Sequence, residues 1–321
     1  MEERSCLIVF ESSMERRYAQ MAEIHGFTLY SVGLINDWKN SFIDNLKSRI
    51  NSKELLYQKR ALMIQYLKNN DFKNIYLSNA EGYVSKNFIP FIQKELPNTK
   101  VIALQHGLFP LKHSIFKELP RNLINSIVHK IKGIFPLGSG FGGIKVDEYY
   151  VYSDREKQFL ISKKGWKPNS IKVDIKFIKP EIYQQYLALK KGKNSDEVTA
   201  VFLLQGLFIA GLCSEKNEMQ LIESTINYLS KKYTKVLIKE HPACEGRLKQ
   251  IHLPNNVSEE SNLFESFSKA NDAYSFFSTA LIDAKIFNLK TVGISSNSIK
   301  VDKEIYDNFD LNIDFEKDIA S

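Results

Sequence analysis

The sequence predicts an α/β protein made of two doubly wound, parallel-sheet domains in tandem. Three observations predict it. Short apolar, β-branched runs alternate with longer stretches of helical period, the pattern of a parallel sheet covered by helices. The connections between those runs are too long for antiparallel hairpins. One polar, aperiodic stretch divides the pattern into halves of similar size. With 321 residues, 43% of them hydrophobic and 25% charged, the chain has the length for two domains and the composition of a globular protein.

In the first half, strands are expected at residues 7–10, 28–32, 75–78, 101–105 and 149–152, with helices at 53–68 and 86–96. In the second half, strands at 200–204, 235–239, 273–277 and 291–294 are separated by helices at 216–232 and 263–270. The dividing stretch is 189–196, which places an N-terminal Rossmann-like domain at 1–185 and a C-terminal one at 196–321. Open sheets of this kind bind ligands beyond the carboxyl ends of their strands, so the informative residues are those that follow strands.

Several classes are set aside first. No window approaches the ~18 uninterrupted apolar residues of a membrane-spanning helix, and the acidic start lacks the basic-then-apolar plan of a secretory signal. Cys6, Cys213 and Cys244 are odd in number and show no CxxC spacing, which fits reduced thiols in the cytoplasm. The net charge is +7 and unevenly placed: Lys112, Lys117, Arg121, Lys130, Lys132 and Lys145 face only Glu118 across residues 112–145. That segment reads either as a solvated helix face or as a surface for an anionic partner, a polyanionic acceptor or the inner face of the plasma membrane. Nucleic acid is not expected, because no binding motif accompanies the charge.

Four strand ends carry chemistry. The strand at 101–104 runs into Gln105, His106 and Gly107, where an imidazole is placed for proton transfer and a glycine allows close approach of a ligand. The strand at 235–238 runs into Lys239, Glu240, His241 and Pro242. The proline holds His241 extended, so that His241 and Lys239 point as phosphate donors. The strand at 273–277 runs into Ser278, expected as the N-cap, and Thr279, expected to begin a helix, an arrangement suited to an anion. The strand at 75–78 runs into Glu81, which reads either as a general base or as a first-turn acid of the following helix. Each of these also has a purely architectural use, as a turn or a cap.

Gly138-Ser139-Gly140-Phe141-Gly142-Gly143 matches GxGxxG by letter, but no strand precedes it and no helix follows, so it reads as a mobile loop. GxxxxGK[ST], HExxH and DxD are all absent from the sequence. The missing DxD argues against a nucleotide held through a metal, and no cofactor is expected.

In order along the chain, Val101-Ile102-Ala103-Leu104-Gln105-His106-Gly107, Val236-Leu237-Ile238-Lys239-Glu240-His241-Pro242 and Ser278-Thr279-Ala280-Leu281-Ile282-Asp283 resemble motifs of bacterial surface-polysaccharide transferases of GT-B fold. That group contains CMP-sugar-dependent sialyl-, polysialyl- and Kdo-transferases and, more distantly, CDP-glycerol polymerases. The stretch 149–173 resembles the segment closing the first domain. The stretch 200–212, with Gln205 and Gly206, resembles the one opening the second. The resemblance implies two Rossmann-like domains facing a central cleft, with the acceptor on the first and the nucleotide on the second. It implies a metal-independent transfer from a CMP-sugar to a capsule or lipopolysaccharide glycan. His241, Ser278 and Thr279 are then the nucleotide binders, and an acidic base is expected near Glu81, where Ala80-Glu81-Gly82 keeps one acid of the family's pair. Two further expectations stand beside it: a CDP-glycerol-type polyol-phosphate transferase with His106 as base, and a non-catalytic nucleotide- or sugar-binding protein on the same fold.

Overall fold

The computed structural model describes every residue except 1–3, 35–41, 108–114, 190–197, 210, 242–245, 302 and 321. Pro242, Lys112, Cys244 and most of the dividing stretch therefore lie outside the described residues. The chain forms two compact units, one closing at Glu181 and the other opening at Ile182.

In the first unit, β1 (Ser5–Glu11), β2 (Thr28–Leu34), β3 (Asn74–Leu77), β4 (Lys100–Leu104), β5 (Glu148–Val151) and β6 (Ile171–Val173) form one parallel sheet in the order β2-β1-β3-β4-β5-β6. Parallel neighbours need crossovers. These are supplied by α1 (Glu15–His25), α2 (Phe42–Asn51), α3 (Lys53–Asn70), α4 (Tyr83–Glu95), α5 (Ile115–Lys132) and α6 (Asp154–Lys164), followed by the short α7 (Ile175–Ile178) and by α8 (Pro180–Leu189). Residues Cys6 to Phe10 of β1 are all buried, the continuous run expected of a strand covered on both faces. Leu7 and Val9 pack on Tyr18, Met21 and Ala22 of α1, while Phe10 meets Phe88 of α4 edge-on at 5.7 Å. Burial pushes the Cys6 thiol up to about 12, which leaves it protonated at neutral pH.

In the second unit, β7 (Thr199–Leu203), α9 (Glu215–Lys232), β8 (Lys235–Lys239), β9 (Val257–Glu259), α10 (Leu263–Lys269), β10 (Asp272–Ser275), α11 (Ala280–Ile286), β11 (Lys290–Ser295) and β12 (Leu311–Asp314) follow in turn. The sheet is again parallel, in the order β12-β11-β10-β7-β8-β9. One core joins Phe202, Ile238, Tyr274 and Val292 of the sheet to Leu221, Ile222, Ile226 and Leu229, a helically spaced stripe of α9.

The expected strands are present, but β9 and β12 were not anticipated. Both are edge strands with mostly exposed or half-buried side chains, so neither carries an apolar run to read. The helix expected to begin at Thr279 begins one residue later, at Ala280. The N-cap is accordingly Thr279 and not Ser278, and its side chain makes no capping bond; the Ser278 hydroxyl, one position earlier, accepts from the Ala280 N–H at 3.2 Å. Among the described residues no helix is long and apolar enough to cross a membrane.

Candidate functional site

The two strand orders locate the crevices. In a doubly wound sheet the chain reverses direction at one pair of strands, and the loops leaving that pair diverge to opposite faces and open a pocket. In the first unit this switch falls between β1 and β3; in the second it falls between β7 and β10.

At the first switch the loop after β3 carries Glu81. The residue lies ahead of Gly82, which caps α4, so it is not a first-turn acid of that helix. Its side chain is buried, Oε2 accepts from the Ala80 N–H at 3.0 Å, and Oε1 has no hydrogen-bond partner among the described residues. His106, at the end of the neighbouring β4, brings Nδ1 to 3.3 Å from Glu81 Oε2. The approach is within ion-pair distance but outside hydrogen-bond alignment. The imidazole is the more exposed partner, with 24% of its side chain accessible against 7% for Glu81. A buried carboxylate behind a more accessible imidazole is the arrangement that orients a histidine.

The neighbours of this pair are architectural. Gln105 is fully buried, and its amide is used at both ends: Oε1 accepts from the Tyr152 N–H at 2.9 Å and Nε2 donates to the Gly107 carbonyl at 2.9 Å. It ties the end of β4 to the end of β5 and is not a ligand-facing group. Among the described residues nothing lies within 4 Å of where a Cβ on Gly107 would stand.

Arg17, which sequence reasoning missed, donates to the His106 carbonyl at 3.3 Å and approaches Glu181 at 3.9 Å. Burial opposes its charge, but Tyr152, Tyr18 and Glu181 outweigh burial and raise its pKa. The Tyr18 phenol, pushed up by burial, donates to the Ser78 carbonyl at 2.8 Å and so fixes the β3 end from α1. Arg17 lies in the first turn of α1, beyond the turn that leaves β1, so reading only the residues directly after strands did not mark it.

The Gly138–Gly143 segment is a packed turn and not the free loop its composition suggested. The Ser139 N–H donates to the Glu81 carbonyl at 2.9 Å, and the Gly143 N–H donates to the Gly140 carbonyl at 3.0 Å. A Cβ on Gly138 would overlap the Glu81 carbonyl oxygen, and one on Gly142 would overlap Leu160. These glycines allow the turn to lie directly against the Glu81 loop.

At the second switch, Gln205 follows β7. Its Oε1 accepts from the Ser275 hydroxyl at 3.1 Å and from the Phe277 N–H at 3.0 Å, binding the β7 end to the β10 end. Gly206 follows it, and Ser278 is half-buried next to Phe277, with Thr279 exposed. On the other side of β7, β8 ends at Lys239, and His241 is exposed two residues beyond. With strands about 4.8 Å apart, the β8 and β10 ends stand roughly 10 Å from each other, with the Gln205 loop between them. Lys239 Nζ donates to the Glu240 carbonyl at 2.7 Å, which uses one of its three protons.

Glu240 was passed over as part of the turn, yet it organises the loop. Its buried carboxylate accepts from the Gly246 N–H and the Leu248 N–H, both at 2.8 Å. Glu240→Ala leaves both donors without their charged acceptor and is expected to cost about 3–6 kcal/mol, at ~1.5–3 per charge-assisted bond. Chemical denaturation of the variant checks this, with Lys239→Ala, whose ammonium is half-exposed, as the near-neutral comparison.

The structure is similar to three solved glycosyltransferases. They are the glycotransferase of kitacinnamycin (9% identity, covering 99% of this chain and 88% of that one, TM-score 0.57), SnogD from Streptomyces nogalater (9%, 98% and 87%, 0.51) and CalG4, the calicheamicin glycosyltransferase (11%, 92% and 80%, 0.51). No family model matches the sequence, and no curated protein matches it. The fold is the GT-B fold of glycosyltransferases, two parallel six-stranded sheets with flanking helices. At this level of identity the likeness carries the resemblance as far as that fold.

Proposed function

We propose that the chain is a glycosyltransferase that moves a sugar from a nucleotide donor, CMP-linked, to a hydroxyl of a surface glycan, without a metal. The observation that carries this reading is the Glu81–His106 pair beside the first unit's switch point, a proton-accepting device at a ligand-binding position. The acceptor hydroxyl gives its proton to His106 as the sugar carbon is attacked, and Glu81 holds the imidazole in place and balances the charge it gains. The leaving nucleotide phosphate is received in the second unit by the remaining protons of Lys239, by His241 and by the Ser278 and Thr279 hydroxyls around the Gln205–Gly206 loop. The first unit is then the acceptor side and the second the donor side.

The same dyad supports a second reading, a polyol-phosphate transferase using CDP-glycerol, in which His106 is again the base. A thermal-shift series with CMP, CDP, UDP and GDP separates the donors, because a nucleotide at 100 times its Kd stabilises by about 2.7 kcal/mol. CMP is expected to raise Tm most in the wild type and not in His241→Ala, whose own Tm is unchanged because that side chain is exposed. Turnover follows with CMP-sialic acid, CMP-Kdo and CDP-glycerol and is expected to persist in EDTA. A shift with UDP alone rules out the cytidine donor. Loss of activity in EDTA that manganese restores rules out the metal-free scheme. Binding without turnover of any donor leaves a nucleotide-binding protein.

A further inference from the structure

The helix α5 has an inner and an outer face. Asn125 is buried and exchanges two hydrogen bonds with the Leu137 backbone, at 3.1 and 3.0 Å, which fixes the inner one. At about 100° per residue, Arg121 stands only about 40° around from Asn125, on that inner face. Leu119, Leu123, Ile127 and Ile131 form an exposed stripe on the opposite side. The inner face borders a pocket of about 270 Å³, close to the ~300 Å³ at which small-ligand pockets begin. Arg121, Lys86 of α4, Lys145, and Lys163 and Lys164 in the last turn of α6 line it together with the Ser139 turn, and no Asp or Glu is among its described lining residues. Neither Glu81 nor His106 lines it.

Three features distinguish this pocket from a solvated basic surface. Other lysines of the unit face carboxylates: Lys68 pairs with Glu95, Lys73 with Asp71 and Lys100 with Glu148. Among the described residues Lys86, Arg121, Lys145 and Lys163 have no such partner. The lysines are also held in place. Lys86 lies over the Phe135 ring at 5.4 Å, and Lys145 lies over the Trp166 ring at 4.6 Å while its Nζ donates to the Lys164 carbonyl at 2.5 Å. Donors fixed in advance lower the ordering cost of binding. The Ser139 Oγ, finally, is buried with no hydrogen-bond partner among the described residues, a need that a ligand oxygen meets.

The positive charge is gathered in two places. Burial first, and then Arg121, lowers the Lys86 pKa. Burial first, and then Lys164, lowers that of Lys145. Each lysine has a different cationic neighbour, so an anion placed between either pair relieves a local repulsion.

We propose that the first unit holds a binding site for a diphosphate group, one phosphoryl unit between Lys86 and Arg121 and the other between Lys145 and Lys164, with Lys163 and the Ser139 hydroxyl as further donors. A single carboxylate or phosphate reaches only one of the two charge centres. The site lies in the first unit, whereas the donor phosphate is assigned to the second, so the proposal stands independently of the donor and of turnover.

The test is isothermal titration of the full chain with inorganic pyrophosphate, beside inorganic phosphate. Pyrophosphate is expected to bind roughly tenfold tighter or more, because it reaches both centres, and to weaken with added salt. Arg121→Gln and Lys145→Gln, one from each centre, should each weaken it roughly tenfold, the scale of one lost charge-assisted contact. Ser139→Ala should weaken it about fivefold without lowering Tm, since the hydroxyl has no partner to lose. If Arg121→Gln does not fold, Lys86→Gln repeats the measurement on the same centre. The affinity should survive His241→Ala, which removes a phosphate donor proposed for the second unit, and Lys290→Gln, an exposed lysine there. With the site so retained, competition by CDP in His241→Ala assigns the group to a nucleotide, and no competition to a diphosphate without a base. Binding lost in His241→Ala but kept in Arg121→Gln and Lys145→Gln overturns the proposal. So does equal weakening by Lys290→Gln, phosphate bound as tightly as pyrophosphate, or no binding at all.

Discussion

His106→Ala should lower turnover at saturating donor by roughly 100-fold or more, the scale for losing a general base, and added imidazole should restore part of it. Glu81→Gln keeps the shape of the side chain but removes the charge that faces Nδ1 at 3.3 Å. It should also lower turnover, by roughly 10- to 100-fold, and imidazole should not restore it, because the imidazole it would orient is still present. Neither change should alter the affinity for nucleotide, which the proposed scheme assigns to the other unit. A Glu81→Gln variant without activity, beside a His106→Ala variant with near-normal turnover and a raised donor KM, would return the base to Glu81, the role that the sequence resemblance implies. Near-normal turnover in both would remove the pair from the chemistry.

The second large effect is expected at a residue with no side chain. Gly138→Ala forces a methyl into the Glu81 carbonyl oxygen and to within 3.1–3.2 Å of Gly82 backbone atoms. All of these are backbone, so the Glu81 loop or the Ser139 turn has to move. Overpacking of this kind costs about 1–3 kcal/mol, or a few degrees in Tm for a unit of this size. Turnover should fall as well, because Glu81 is carried on the displaced loop. Gly107→Ala is the control: among the described residues nothing stands within 4 Å of its Cβ and its φ is not left-handed, so Tm should stay within a degree or so of wild type. Equal Tm for the two variants would mean that the turn yields without cost and is not part of the support of Glu81.

Much of the architecture was readable because it is local. The alternation of apolar runs with helical periods marked the strands that form the middle of both sheets and the edge strand β2, and residues 235–239 coincide with β8 end for end. Applying one rule, that ligands sit beyond strand ends, singled out Glu81, His106, His241 and Ser278, while Gln205 came from the family resemblance. The rule did not reach Arg17, which stands in the first turn of α1 and not directly after β1. The edge strands β9 and β12 escaped because an edge strand exposes its side chains and leaves no apolar run. The role of Gln105 escaped for a related reason: a polar residue between a strand and a histidine looks like a ligand-facing group until its partners, the Tyr152 N–H and the Gly107 carbonyl, are known. The Gly138–Gly143 turn read as mobile because glycine content reports backbone freedom, not what packs against that backbone.

What the sequence determined about this protein by itself was the class of its fold, the division into two α/β units and the residues that leave the sheets. All of these follow from side-chain periodicity along a few turns or strand residues. Strand order was beyond it, because order depends on which neighbour each strand finds after its crossover, and any parallel neighbour satisfies the same apolar run. That order places Glu81 and His106, twenty-five positions apart, on adjacent strands, and it places Gln205 between the ends carrying His241 and Ser278. The exposed stripe of α5 was likewise set in three dimensions. Its spacing is that of an ordinary amphipathic helix, and only the bonds of Asn125 to Leu137 show which face is turned inward.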